Sequence, residues 1–223
     1  TSGVNTAVGA NALATVTSGT GNVGIGNDVL TVSTASNNTA VGYQAGYSNT
    51  TGGLTAVGYQ AGKANTTGSA SVALGVQTLG SNTTGNYNNA IGNATMYANT
   101  TGSNNTALGH LAMRFNTTAS NNTAVGYQAG YSNTTGTGLT AIGYSAMSFN
   151  TTGSYNIAIG GVGASGGTAL NVNTTGSYNL ALGNGALQAN TTASNNTAVG
   201  YHAGYSNTTG DVAAFGNNAA RSQ

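Results

Sequence analysis

The sequence of 223 residues contains no cysteine, proline, tryptophan or glutamate. Only five side chains carry a formal charge, namely Asp28, Lys63, Arg114, Asp211 and Arg221. Because an ordinary soluble domain has about a quarter charged residues, polarity here comes from asparagine, threonine, serine, glutamine and glycine. A net charge of +1 offers no electrostatic attraction to nucleic acid or to an anionic membrane. We therefore expect no nucleic-acid partner.

Two further absences concern membranes and catalysis. No apolar run approaches the roughly 18 residues of a membrane span, so membrane insertion is not expected. An enzyme needs acids, bases or nucleophiles that converge on one place. The two carboxylates, Asp28 and Asp211, and the two histidines, His110 and His202, lie many residues apart. We therefore predict no enzyme, no metal site and no cofactor.

A glycine closes a short apolar motif, such as TAVG at 39–42, along the whole chain. The spacing between these glycines is 16 or 17 residues, except for one spacing of 23 that carries a six-residue insertion around 161–172. The thirteen motif glycines stand at 9, 26, 42, 58, 75, 92, 109, 126, 143, 160, 183, 200 and 216. Because the period carries apolar residues, the composition indicates a single folded repeat array over 1–223 and not a disordered chain.

A unit of about 17 residues is too short for a pair of helices but long enough for one coil of a β-solenoid. We predict a first strand in NTAVGYQA at 38–45 and a second in YSNTT at 47–51. Glycine and asparagine supply the positive φ angles of the corners, and stacked asparagines can hydrogen-bond along the axis. The predicted fold is all-β, a parallel β-solenoid of about 13 coils and, at about 4.8 Å per coil, a rod of roughly 60 Å.

Two adjacent columns precede each motif glycine. The residue directly before it is large and apolar, and the residue two before it is alanine in all units but one. Since neighbouring strand residues point to opposite faces, we predict that the aliphatic column fills the coil and that the alanines pack against another copy in a homo-oligomer. Alternatively, the alanines only tolerate a crowded corner. The predicted interface residues are Ala40, Ala56, Ala73, Ala90, Ala107, Ala124, Ala141, Ala158, Ala181 and Ala198.

The motifs NTAVG, NVGIG, SVALG, NNAIG, NTALG and NIAIG resemble the repeat of the head domains of trimeric autotransporter adhesins. The longer phrase NTAVGYQAGYSNTTG is similar to repeats in phage tail-fibre proteins and in bacterial surface proteins described as tail-fibre-like. The resemblance implies a left-handed parallel β-roll, a homotrimer whose inner sheets face the axis, and adhesion in place of catalysis. The 17-residue unit departs from the shorter adhesin repeat.

The phrase SNNTAVGYQAGYSNTTG occurs at 36–52 (the first copy), at 120–136 (the second copy) and, with one change, at 194–210 (the third copy). Each copy places two tyrosines around a glutamine, which is a histidine in the third copy. Tyrosine and glutamine are good neutral contact residues. The alternative is that the tyrosines pack on neighbouring coils. The predicted receptor contacts are Tyr43, Gln44, Tyr47, Tyr127, Gln128, Tyr131, Tyr201, His202 and Tyr205.

These features predict a segment of an extracellular fibre, in a phage tail fibre or a bacterial surface adhesin. Its repeats would make multivalent weak contacts with a host cell-surface glycan or matrix. One alternative is a structural shaft or filament-forming subunit without a receptor site. Another is ice binding, although the adjacent threonines of NTT point to opposite faces. Both chain ends reach the same point of the coil without a capping segment, so we expect part of a longer fibre or head-to-tail joining.

Overall fold

The computed structural model describes residues 3–162 and 167–221. These residues form short strands, one per repeat, joined by turns and without any helix. The chain divides into two compact units, residues 1–110 and 111–223. The same coil of about 17 residues builds both units, which confirms the predicted all-β class and the parallel β-solenoid.

Within each unit the strands follow one another in chain order, and each lies parallel to the next. The first unit contains β1 (Thr6–Val8), β2 (Val23–Ile25), β3 (Thr39–Val41), β4 (Leu54–Val57), β5 (Ser71–Leu74), β6 (Asn89–Ile91) and β7 (Thr106–Leu108). The second contains β8 (Thr123–Val125), β9 (Thr140–Ile142), β10 (Ile157–Ile159), β11 (Leu180–Leu182), β12 (Thr197–Val199) and β13 (Ala213–Phe215). The pairing register joins equivalent motif positions, so that Ala40 pairs with Ala56 and Ala124 with Ala141.

The coil holds one strand and not the predicted two. In the first copy only Thr39–Val41 is extended, and 47–51 forms turns and irregular backbone. Coil-to-coil hydrogen bonding nevertheless continues there, since the Thr50 amide donates to the Thr66 carbonyl at 2.9 Å. The reason is local, because Gln44 and Gly46 have φ of 54° and 58°. Two left-handed residues so close together bend the chain into successive tight turns.

Bulky residues occupy left-handed positions where the sequence predicted glycine and asparagine. Four residues after the motif glycine, Leu30 has a φ of 46° and Met96 a φ of 49°. This conformation costs an L-residue about 1–2 kcal/mol. Both side chains are fully buried, and such burial stabilises by about 1.5–3 kcal/mol. Burial therefore outweighs the backbone preference at these corners.

The alanine column lies inside the coil, so the predicted orientation of the two columns is wrong. Leucine and methionine from the turn fill the centre, and little room remains opposite them. At Gly24, which takes the place of the alanine, an added Cβ would lie 3.2 Å from both Leu13 Cγ and Val29 Cγ1. The following residues are at most 1 % exposed within the single chain and cannot form an interface: Ala40, Ala56, Ala73, Ala90, Ala107, Ala124, Ala141, Ala158, Ala181 and Ala198.

A column of buried asparagines, seven residues after the motif glycines, joins successive coils by hydrogen bonds on the other side of the coil. The Asn133 side-chain amide donates to Asn116 Oδ1 at 3.0 Å and to the carbonyl of Gly136 at 2.9 Å, and its Oδ1 accepts from Asn150 at 3.0 Å. Asn133 thus bonds along the axis and to its own turn, as Asn82 does, which satisfies groups that would otherwise destabilise the core. The predicted asparagine stacking is confirmed.

The insertion leaves the coil register intact on both sides. Ala169 and Leu170 occupy the buried positions that follow a motif glycine by three and four residues in other units, and the Met147 amide donates to the Ala169 carbonyl at 3.2 Å. The six extra residues therefore lie between Gly160 and Ala169, within the predicted range of 161–172. Positions 163–166 lie outside the described residues.

Candidate functional site

The first copy carries a surface of paired rings and paired amides. Tyr43 stacks on Tyr59 of the next coil, with ring centroids 5.6 Å apart and an interplanar angle of 18°. The Gln60 side-chain amide donates to Gln44 Oε1 at 3.0 Å. Tyr47, the third predicted contact residue of this copy, is half-buried. The glutamine predicted as a ligand contact is therefore engaged within the protein.

The second copy has the same residues but other neighbours. Tyr127 stacks on Tyr144 with centroids 4.9 Å apart and an angle of 19°, closer than the pair of the first copy. Tyr131 meets Phe115 edge to face at 5.0 Å. Gln128 lines a cleft of about 460 Å³ that also reaches the flanks of the insertion. This copy therefore contributes predicted contact residues to a concave surface.

The cleft has an aromatic part and a polar part. Tyr131, Tyr144 and Phe149 provide the aromatic rings. The amides of Gln128 and Asn171 provide donors and acceptors. None of the described residues that line the cleft is charged.

Three hydroxyl groups complete the cleft, those of Ser145, Ser148 and Thr168. Ser148 donates from its hydroxyl to Asn171 Oδ1. Thr168 is 3 % exposed, and its hydroxyl has no hydrogen-bond partner among the described residues. A buried polar group without a partner is rare in a native protein and calls for an explanation.

The third copy differs because histidine replaces glutamine. His202 is only 5 % exposed and stacks on Tyr201 with centroids 4.0 Å apart, while the Tyr205 ring lies 4.7 Å away. Neither ring nitrogen has a partner among the described residues. Burial, together with the charge of Arg221, lowers the pKa of His202 below its usual value. The neutral imidazole therefore serves as packing between two tyrosines.

The outward face of the strands is a second candidate site. The residues one and three before each motif glycine point away from the core, and we call them the sheet face of each unit. In the first unit its exposed apolar members are Val8, Ile25, Val57, Ile91 and Leu108. In the second unit they include Ile157, Leu182 and Phe215. Soluble monomers rarely leave contiguous apolar patches of this kind uncovered.

Sequence reasoning missed a further pair of aromatic residues. Tyr155 and Tyr178 stack with centroids 5.2 Å apart and an angle of 15°, and both are exposed. Each lies five residues before its motif glycine, an offset that Tyr87 shares. This offset is a left-handed corner, with a φ of 57° at Tyr155. The shared offset was the signal that could have revealed the pair.

The described residues contain no group of three or more histidine, cysteine, aspartate or glutamate side chains able to hold a metal ion. Nor do they include a helix of the length and apolarity that a membrane crossing requires. Searches against protein-family models, curated proteins and solved structures found no match for the chain.

Proposed function

We propose that the chain is a structural segment of an extracellular fibre that associates with copies of itself through the sheet face and displays its tyrosine-rich turns for weak, multivalent contact with a ligand. The observation that carries the proposal is the outward aliphatic column. Large apolar residues stand in it at every coil, and no charge interrupts it. Burial of this column removes apolar area from water, at about 25 cal/mol per Å².

The partner on the sheet face is a second copy of this chain. A surface that repeats every coil, at about 4.8 Å, is matched best by another surface with the same repeat. An identical chain offers that repeat and the same uncharged residues. Closed symmetric assembly is the rule for such self-complementary contacts. The resemblance to adhesin heads favours three copies around one axis and a place outside the cell, on a virion or a bacterial surface.

Native mass measured by light scattering tests the assembly. The wild type should give three times the monomer mass of 21.6 kDa. The double variant Ile91→Glu with Leu108→Glu should be monomeric, because it places charges in the buried face. A matched control is Tyr43→Glu with Tyr59→Glu, which also changes adjacent coils of the first unit at similar exposure: 42 % and 46 %, against 40 % and 46 %. The control should remain trimeric, and a monomeric wild type would refute the proposal.

Ice binding is the second candidate, and one observation favours it. Thr39 and Val41 both point outward with the buried Ala40 between them. This separated arrangement, which adjacent threonines of NTT cannot give, recurs at Thr123 and Val125. A monomeric wild type that shows thermal hysteresis would support ice binding over self-association, since both functions need the same face.

A further inference from the structure

We propose that the cleft in the second unit binds a neutral pyranose sugar of one or two rings. The inference rests on the proposed function, because it names the place and the chemistry of one ligand contact. The volume of about 460 Å³ falls within the range of small-molecule clefts, about 300–1,000 Å³. None of the lining residues belongs to a strand. Self-association through the sheet face and ligand binding in the cleft can therefore coexist.

The aromatic part suits the apolar face of a sugar ring. Tyr144 is 50 % exposed, and its stack on Tyr127 fixes one face of the ring. Phe149, which is also exposed, provides a second ring in the same cleft. Aromatic rings carry negative charge on their faces, and a pyranose presents polarised C–H groups to them. Because none of the described lining residues is charged, a charged sugar would leave its hydration shell without compensation.

The polar part suits hydroxyl groups, which both donate and accept. Because Ser148 occupies only Asn171 Oδ1, the donors of that amide remain available among the described residues. The Thr168 hydroxyl at the cleft is buried and has no hydrogen-bond partner among the described residues. A ligand hydroxyl would give that group the hydrogen bond it lacks, which offsets the cost of leaving a buried polar group unpaired.

The insertion makes this site differ from the other turns. Val162 and Thr168 flank residues 163–166 and contribute to the cleft. No other unit has an insertion of this length. In the first copy the corresponding glutamine, Gln44, already bonds to Gln60. The second copy thus gains a ligand site because the segment with the insertion lies beside it.

Saturation-transfer difference NMR on the intact chain tests the site. The probes are the methyl pyranosides of glucose, galactose, mannose and N-acetylglucosamine. At least one should receive saturation, strongest at its ring C–H protons. Tyr144→Ala and Thr168→Val should each reduce that signal at least fivefold. Thr168→Val keeps the shape of the side chain, and Tyr144 is exposed, so both variants should keep the wild-type thermal unfolding midpoint within a few degrees.

Tyr59→Ala is the matched control, because Tyr59 follows the first copy as Tyr144 follows the second and is exposed to a similar extent, 46 % against 50 %. Its signal should equal that of the wild type. An equal loss in Tyr59→Ala and Tyr144→Ala would overturn the cleft in favour of a general tyrosine surface. No transfer to any of the four sugars would also overturn it. The native mass of the wild type decides self-association independently of both results.

Discussion

The first and second copies share all seventeen residues, and in both the first tyrosine stacks on a tyrosine of the next coil, yet the rest of their surfaces differ. Ala40 and Ala124 are both buried, and Gln44 and Gln128 have nearly the same φ, 54° and 53°. On the outside, the neighbouring coils determine which side chains surround each copy. The coil after the first copy supplies both a tyrosine and a glutamine, whereas the coil after the second supplies Tyr144 but has Ser145 in place of the glutamine, and Phe149 and Thr168 line a cleft beside it. Backbone and core therefore follow the phrase, and the chemistry of the surface follows its context.

The third copy extends the comparison to a single substitution. His202 keeps the left-handed backbone of the glutamines, with a φ of 52°. Its ring nevertheless lies between Tyr201 and Tyr205, whereas Gln44 of the first copy pairs with the amide of Gln60. One changed side chain thus alters the surface and leaves the coil unchanged.

The largest expected effect comes from a charge on the shared inside. Ala40→Glu and Ala124→Glu should each destabilise the fold by more than about 4 kcal/mol, because a carboxylate would be buried without a partner. Denaturant unfolding followed by circular dichroism measures the loss. The two variants should agree within about 1 kcal/mol, since both alanines are at most 1 % exposed. A folded monomer in either case would restore the interface role of the alanines.

The asparagine column should give a smaller effect that differs between copies. Asn133 makes three side-chain hydrogen bonds, so Asn133→Ala should cost about 3 kcal/mol at roughly 1 kcal/mol for each bond. Asn207 of the third copy donates to Asn196 at 3.0 Å, and its Oδ1 has no partner among the described residues. Asn207→Ala should therefore cost only about 1 kcal/mol. If both variants lost the same free energy of unfolding in denaturant, the assignment of about 1 kcal/mol to each hydrogen bond would be wrong.

The sequence predicted the period, the parallel stacking and the asparagine column, because each follows from residue types at fixed offsets. It did not predict which strand face is the inside. Alternation along a strand separates two faces but does not orient them. The orientation depends on volume, since Leu30 and its equivalents enter the core from left-handed turns. The preference of such corners for glycine gave no hint of leucine there.

The candidate site was predictable only in part. Tyr127, Gln128 and Tyr131 were singled out from the repeated phrase, and two of them, Gln128 and Tyr131, line the cleft. The rest of the cleft comes from residues that the repeat does not mark. Phe149 stands at an offset that is aromatic elsewhere only at Phe115, and Thr168 lies in the segment lengthened by the insertion. A site formed where a repeat is interrupted cannot be read from the repeat itself.

The third prediction uses pH to sharpen the contrast between the third copy and the other two. The pKa of His202 is lowered in the fold, so the unfolded chain, with a histidine pKa of about 6.5, binds more protons just below that pH. The contribution of His202 to stability is thus complete above about pH 6.5 and is lost as the pH falls towards the folded pKa. The thermal midpoint of the wild type should fall by a few degrees between pH 7.5 and 5.5.

His202→Gln, which restores the residue of the first two copies, should remove most of this pH dependence. Arg221→Gln should weaken it, because the charge of Arg221 adds to the lowering of the histidine pKa. An unchanged pH profile in His202→Gln would show that other groups cause the dependence.

The smallest expected effect concerns the half-buried glutamines of the first two copies, Gln44 and Gln128. Gln44 accepts a hydrogen bond from Gln60, so Gln44→Ala should lower the free energy of unfolding by about 0.5 kcal/mol, the low end for a net hydrogen bond. Gln128 makes no side-chain hydrogen bond among the described residues, and Gln128→Ala should change stability by less than about 0.3 kcal/mol. Alanine is the right substitute because both positions have a positive φ. Alanine pays the same backbone cost there as glutamine does, so the substitution changes only the side chain.

A double-mutant cycle isolates this bond from other losses. If the pair of amides stabilises the surface of the first copy, Gln44→Ala and Gln60→Ala should couple by about 0.5 kcal/mol in denaturant unfolding. The same cycle between Gln128 and Ser145, which stand at the equivalent positions around the second copy, should show no coupling. Equal coupling in both copies would mean that the phrase itself, and not its neighbours, sets the surface. That outcome would also weaken the argument for a cleft at one copy only.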